Sequence, residues 1–153
     1  MSQFNPETFL DSAITEVQVK RPPLAAGRVF QAIIGEVKSR PWVKKDDPSK
    51  SGYAVDLPLT IDLTTYPDEL KRLGTDRVIM KDSIMLDLNE GGAIDTSPGK
   101  NGKLRRYRDS LGMNVPGQPF TFRAMTGRII GVKVKHREYE GELYEDVDSV
   151  VKA

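Results

Sequence analysis

Tyr53-Ala54-Val55-Asp56-Leu57-Pro58-Leu59-Thr60-Ile61-Asp62-Leu63 decides the fold. Every odd position is apolar and the even positions are Ala, Asp, Pro, Thr and Asp, the period of a strand with one face on a core and the other in water. Pro58 removes a ladder donor, which places that part of the strand at a sheet edge or a bulge. Upstream, Arg28 to Lys38 is apolar on both faces as far as Gly35 and polar on one face after it. That change suits a long strand that bulges or coils sharply at a glycine. Downstream, Pro67 to Leu73 is a short helix capped from Thr65 or Tyr66 and closed by Gly74. Arg77 to Leu88 is a further strand, with Ile84, Leu86 and Leu88 on one face and Met85 and Asp87 on the other.

Further out, Gly91 to Gly102 is a long loop, and Leu104 to Gly112 a compact helix that buries Leu104, Tyr107 or Arg108, and Leu111. Phe120-Thr121-Phe122-Arg123-Ala124 alternates like a strand. Ile130, Val132 and Val134 alternate with Gly131, Lys133 and Lys135, and Tyr139 to Leu143 is a hairpin tip leading into a last strand in which Val147 points inward. At the N-terminus Asn5 can cap a helix, Pro6 suits its first position, and Phe4 can staple onto Phe9. Residues 1–27 are expected to form this helix and a linker that pack as a cover on a β-domain spanning 28–153, the alternative being a detachable helix that binds a partner. Five or six strands without regular β–α alternation favour a mainly β fold, a small barrel or curled antiparallel sheet with two or three short helices.

The 153 residues suit one domain. Cys 0 excludes disulfides, thiolate nucleophiles and thiolate metal sites, and His 1, at His136, excludes a multi-histidine metal centre. No signal peptide and no apolar run of about 20 residues is present, so a soluble protein of the cytoplasm, away from membranes, is expected.

Lys+Arg 23 against Asp+Glu 22 points to no partner until the charge is divided by segment. Gly99 to Arg137 carries Lys100, Lys103, Arg105, Arg106, Arg108, Arg123, Arg128, Lys133, Lys135 and Arg137 against the single acid Asp109, whereas 54–98 and 138–148 are acid-rich. Lys133, Lys135 and Arg137 recur at period two and so form a basic stripe on one strand face, the geometry that follows a phosphate backbone. A second basic cluster, Lys38, Arg40, Lys44 and Lys45, surrounds the only tryptophan, Trp42, in what reads as a loop. Cations beside an exposed aromatic face suit single-stranded nucleic acid, since stacking does not depend on which base is stacked. Tyr107, amid Arg105, Arg106 and Arg108, is a second stacking candidate, while Tyr53 and Phe122 read as core.

Catalytic constellations are sparse. Glu36-Val37-Lys38 matches half of a metal-dependent nuclease signature, in which carboxylates hold a divalent cation and a lysine supports the attacking water. The aspartate it requires on a neighbouring strand is not evident, and Asp56, Asp62, Asp82 and Asp87 read as a wet face. His136 reads as a satisfied histidine at a strand end. No catalytic residue, metal ligand or cofactor is assigned.

Two stretches resemble the small phage-encoded OB-fold proteins that bind single-stranded DNA. Pro23-Leu24-Ala25-Ala26-Gly27-Arg28-Val29-Phe30 is similar to their entry into the first strand, and Gly127 to His136 with Tyr139-Glu140-Gly141 and Tyr144 to Val147 resembles their closing hairpin. The resemblance covers the two ends of the β-domain and not 64–96. It implies an OB-like barrel, single-stranded DNA as ligand, and a place in phage DNA replication, recombination or repair inside an infected bacterial cell, alongside other phage replication or recombination proteins; it leaves room for a homo-oligomer. Acids near the end interleave with Val147, Val150 and Val151 as in a strand, which argues against a free acidic recruiting tail. The leading expectation is therefore a sequence-tolerant binder, not an enzyme, in which Lys38, Arg40, Lys44, Lys45, Arg105, Arg106, Arg123, Lys133, Lys135 and Arg137 track phosphates while Trp42 and Tyr107 stack bases. The alternatives are a nuclease using Glu36 and Lys38, or an accessory protein whose basic face docks a host protein.

Overall fold

The computed structural model describes residues 5–153. Its centre is β3 (Asp47–Asp62), the strand with the clearest alternation, which pairs along one edge with β4 (Arg77–Leu86) from Tyr53↔Leu86 to Asp62↔Arg77. The opposite edge is shared. β2 (Lys38–Lys44) pairs with the first half of β3, and β1 (Val29–Ile34) with the second half. β1 pairs in turn with β5 (Ile129–Tyr139), which turns at Glu140-Gly141 into β6 (Glu142–Val151). Both turn residues have positive φ, 51° and 79°, the combination required by a two-residue hairpin loop whose twist matches its strands. The result is a six-stranded antiparallel sheet among the described residues. β4 and β6 approach each other, but no ladder joins them, so the sheet stays open along that seam.

The break between β1 and β2 explains Pro58. In an antiparallel pair a residue's N–H and C=O point to the same neighbour. Pro58 O accepts from Gly35 N at 2.8 Å, so the missing donor of Pro58 faces the gap where β1 has ended and β2 has not begun. Proline is tolerated inside a central strand because its partner is interrupted there. Gly35 is required for the same reason, since a Cβ at 35 would stand 2.8 Å from Pro58 Cγ.

Phe30, Ile34, Leu57, Leu59, Ile61, Leu63, Ile84, Ile130 and Val132 are fully buried on the inner face, each stabilising by roughly 1.5–3 kcal/mol. α2 (Pro67–Leu73) docks through Leu73, with Gly74 at φ 71° ending it in the left-handed conformation. α3 (Gly102–Ser110) inserts Leu104 and Tyr107 into the core. The Tyr107 hydroxyl donates to Asp82 Oδ2 at 2.5 Å, and Lys103 Nζ donates to Asp82 Oδ1 at 2.7 Å. Burial and the neighbouring carboxylate raise the Tyr107 pKa far above its ordinary value.

Three expectations are corrected. Asp82 is not on the wet face: it is buried on the inner face of β4 with Val78, Met80 and Ile84, and is accommodated by Lys103 and Tyr107. Phe122–Met125 is a 3-10 turn capped by Thr121, whose side chain accepts from Ala124 N, and not a strand. Tyr53 is exposed: its β4 partner Leu86 is buried, but its β2 partner Pro41 is exposed, so the core ends on that side of the strand. The N-terminal helix, α1 (Pro6–Leu10), is capped by Asn5 as expected and contains no buried residue; Phe4 and its staple lie outside the described residues. From residue 20 the linker is held on the sheet. Lys20 Nζ donates to Leu143 O, Arg21 pairs with Glu145, Leu24 is buried, and Ala25 N donates to Glu69 Oε2 at 3.1 Å. His136 Nε2 lies 2.7 Å from Leu24 O and, facing a carbonyl, serves as a donor there.

Candidate nucleic-acid interface

Trp42 lies on a strand, not in the loop expected for it. β2 places Lys38, Arg40, Trp42 and Lys44 at alternating positions, so all four share its outer face. Their partners on β3 are Asp56, Ala54 and Gly52, followed after a bulge by Asp47. Beyond these, β4 presents Ser83 opposite Asp56 and Met85 opposite Ala54. Trp42 is half-buried and its ring lies against Gly52; Nε1 donates to Tyr53 O at 3.2 Å. The indole is thereby fixed along the sheet with part of its surface open.

Lys81 joins this face from β4, opposite Pro58, and the fold supplies two exposed apolar side chains there, Ile79 and Met85. Of the three, only Met85 is legible in the sequence as an outward residue of its strand. Thr60 pairs with both Ile79 and Ile33, and Ile33 with Ile129, so a β-branched row crosses four strands on the outer surface. A hollow of about 310 Å³ between Lys38, Lys81, Pro58 and Ile79 marks the middle of the face.

Asp56, half-buried, anchors the electrostatics of the face. It accepts from Ser83 Oγ at 2.5 Å and Arg40 Nε at 2.9 Å, with Lys81 Nζ at 3.7 Å. The Ser83 hydroxyl, then Arg40, hold its carboxyl below the usual carboxylate range. Asp56 thus fixes Arg40 in place, while Lys38 and Lys44 have no ion-pair partner among the described residues. Glu36 lines the same hollow, so the fold does bring an aspartate beside Glu36 and Lys38. That aspartate is already engaged, and no group of three or more His, Cys, Asp or Glu among the described residues is arranged to hold a metal.

The other basic residues gather elsewhere. Lys103 and Arg106 of α3 and Lys135 of β5 border a hollow of about 200 Å³ together with Asp148 and Ser149 of β6. Arg137 pairs with Asp146 at 2.8 Å and lies over the Tyr144 ring. Lys133 is exposed on β5, Lys45 is exposed just past β2, Arg123 sits on the 3-10 turn, and Arg105 lines a separate hollow beside Asp95 and Lys100. Tyr107 is corrected as a stacking residue: it is 0% exposed, so no base can reach its ring. Among the described residues no helix is long and apolar enough to cross a membrane.

Compared with models of known protein families and with curated proteins, the chain finds no match in either.

Proposed function

We propose that this protein binds single-stranded DNA with little regard to sequence, along the outer face of β2, β3 and β4, in the replication, recombination or repair of phage DNA. One observation carries the reading: Lys38, Arg40, Trp42 and Lys44 stand on one side of one strand, with Lys81 and the apolar Ile79 and Met85 beside them. Cations at strand spacing hold phosphates, while the indole and the aliphatic side chains offer bases a surface that excludes water. Asp56 orients Arg40 without cancelling Lys38 or Lys44.

The chain order of the strands also supports it. With β1 and β2 counted as one interrupted strand, the pairing order and the position of α3 between β4 and β5 suit a five-stranded, partly open Greek-key barrel of the OB type. In such a barrel the second and third strands and two loops form the oligonucleotide surface. Here those strands are β3 and β4, and the two loops are the β2–β3 tip with Lys45 and the β5–β6 tip with Tyr139. Arg106, Lys135 and Lys103 would then extend the phosphate path beyond the main face.

Titration of Trp42 fluorescence with single-stranded, double-stranded and RNA oligomers tests the proposal. Quenching by single strands that recovers with salt is expected. Absence of both quenching and a salt-sensitive mobility shift overturns it.

A further inference from the structure

The segment from Asn5 to Val19 contains Glu7, Asp11 and Glu16 and no lysine or arginine. Its large apolar side chains stand in solvent: Leu10 is 82% exposed, Ile14 78%, Val17 87% and Val19 84%. Four such side chains so open within ten residues make a surface that water disfavours. The segment is nevertheless tethered at a defined place. Lys20 is bound to Leu143 O and lies over the Tyr144 ring, and Arg21 pairs with Glu145, which fixes its root on β6 at the open seam.

The wall of that seam is shared. The hollow around Lys20 and Arg21 is bounded by Ile79, Met80 and Lys81, and the same three residues bound the hollow in the middle of the candidate interface. The segment therefore starts one strand away from a face that is cationic and partly apolar, while being itself anionic and partly apolar. Fifteen residues extended at about 3.3 Å each reach roughly 50 Å, enough to recross the three strands β4, β3 and β2 at about 4.8 Å spacing.

We propose that residues 5–19 are a second ligand of the β2–β3–β4 face of their own chain: the acids meet Lys38, Lys44 and Lys81, the aliphatic side chains cover Ile79 and Met85, and nucleic acid must displace them. The inference rests on the nucleic-acid reading for its competitor but not for the docking of the arm itself. Closing the arm leaves Asp56 and Arg40 paired and repeats, with carboxylates, the charge pattern of a phosphate backbone.

The test uses the intact chain, a chain beginning at Lys20, and the full-length triple variant Glu7→Gln, Asp11→Asn, Glu16→Gln, whose sites are all exposed. Both altered chains are expected to bind an oligothymidine about tenfold more tightly than the intact chain at low salt, the gap narrowing as salt screens the acids. A peptide of residues 5–19 should shift Trp42 emission in the shortened chain with no DNA present. Equal affinity in all three chains together with a silent peptide overturns the proposal. A dimer of the intact chain that vanishes on shortening places the arm on a second copy and overturns it as stated. If no chain binds DNA at any salt but the peptide shifts Trp42, the docking of the arm stands and the nucleic-acid reading fails.

Discussion

Gly52 leaves room for Trp42: a Cβ at position 52 would lie 3.0 Å from the indole Nε1 and 3.1 Å from Leu86 O, on a backbone that has no sideways freedom inside the ladder. The ring is seated because the residue opposite it has no side chain. Gly52→Val should therefore lift Trp42 from the sheet, shift its emission to the red, and destabilise the fold by about 1–3 kcal/mol. Urea denaturation and the emission maximum check it; an unchanged maximum would mean that the indole is held by something other than its seat on Gly52.

Lys38→Gln and Lys44→Gln remove cations that hold no carboxylate among the described residues, so folding should be little affected. Oligonucleotide affinity should fall with each, and the slope of log affinity against log salt should decrease by about 0.7 for each phosphate that is no longer neutralised. Affinity measured at three or more salt concentrations decides. Substituting Arg123, which sits on the 3-10 turn, should leave the slope unchanged.

Tyr107→Phe deletes the hydroxyl that donates to Asp82 at 2.5 Å and leaves that buried carboxylate to Lys103 and Ser83 N. Stability should drop by about 1–3 kcal/mol, with oligonucleotide affinity unchanged, because the ring is inside the core. The wild-type pKa at Tyr107 is raised, so its contribution is complete below pH ~10, where the unfolded tyrosine ionises, and declines as pH rises above that. The phenylalanine variant should lack that part of the alkaline decline, which thermal melts between neutral and alkaline pH would reveal.

Glu69 is buried beneath α2, where Arg72 and then Ala25 N hold its carboxyl below the ordinary range. A lowered carboxylate pKa stabilises above the unfolded value near ~4.3, and that stabilisation is lost as pH falls through the folded value. Glu69→Gln should cost about 1–3 kcal/mol at neutral pH and flatten the acid limb of the stability profile. Melts from neutral pH into the acid range, past the carboxylate titration, measure both effects.

Gly35 and Pro58 should show coupling. Gly35→Ala forces a methyl toward the pyrrolidine ring, 2.8 Å from Pro58 Cγ, and should destabilise by about 1–3 kcal/mol. In the background of Pro58→Ala the same change should cost less, and a double-mutant cycle with no interaction energy would rule out a direct clash.

The core strands are readable because period two is enforced by burial on one side: Val55, Leu57, Leu59 and Ile61 follow it without exception. α2 and the β5–β6 tip are readable from local chemistry, proline at a helix start and glycine at positive φ. The errors have different causes. Tyr53 keeps the alternation of its strand but stands where the core gives way to the exposed β2, which local pattern does not reveal. Asp82 shares the parity of the buried Val78, Met80 and Ile84, so alternation points it inward; its charge alone reads as outward, because the lysine and tyrosine that accommodate it come from α3, 21 and 25 residues away. Tyr107 and its arginine neighbours lie on different sides of α3, a separation that the basic composition of the stretch obscures. Of the candidate interface, the residues of β2 are legible in composition and their common face is not, because a stretch with a proline and many polar residues reads as a loop. Lys81 and Ile79 become neighbours of that face only through the β3–β4 register.

β2 contributes no fully buried side chain, although it provides the tryptophan and three of the cations of the face. On the proposed reading, most of the ligand chemistry is thus written on a strand that carries none of the core. A lineage could exchange nearly every outward residue of β2, and so change what the face binds, without re-solving the packing of the core.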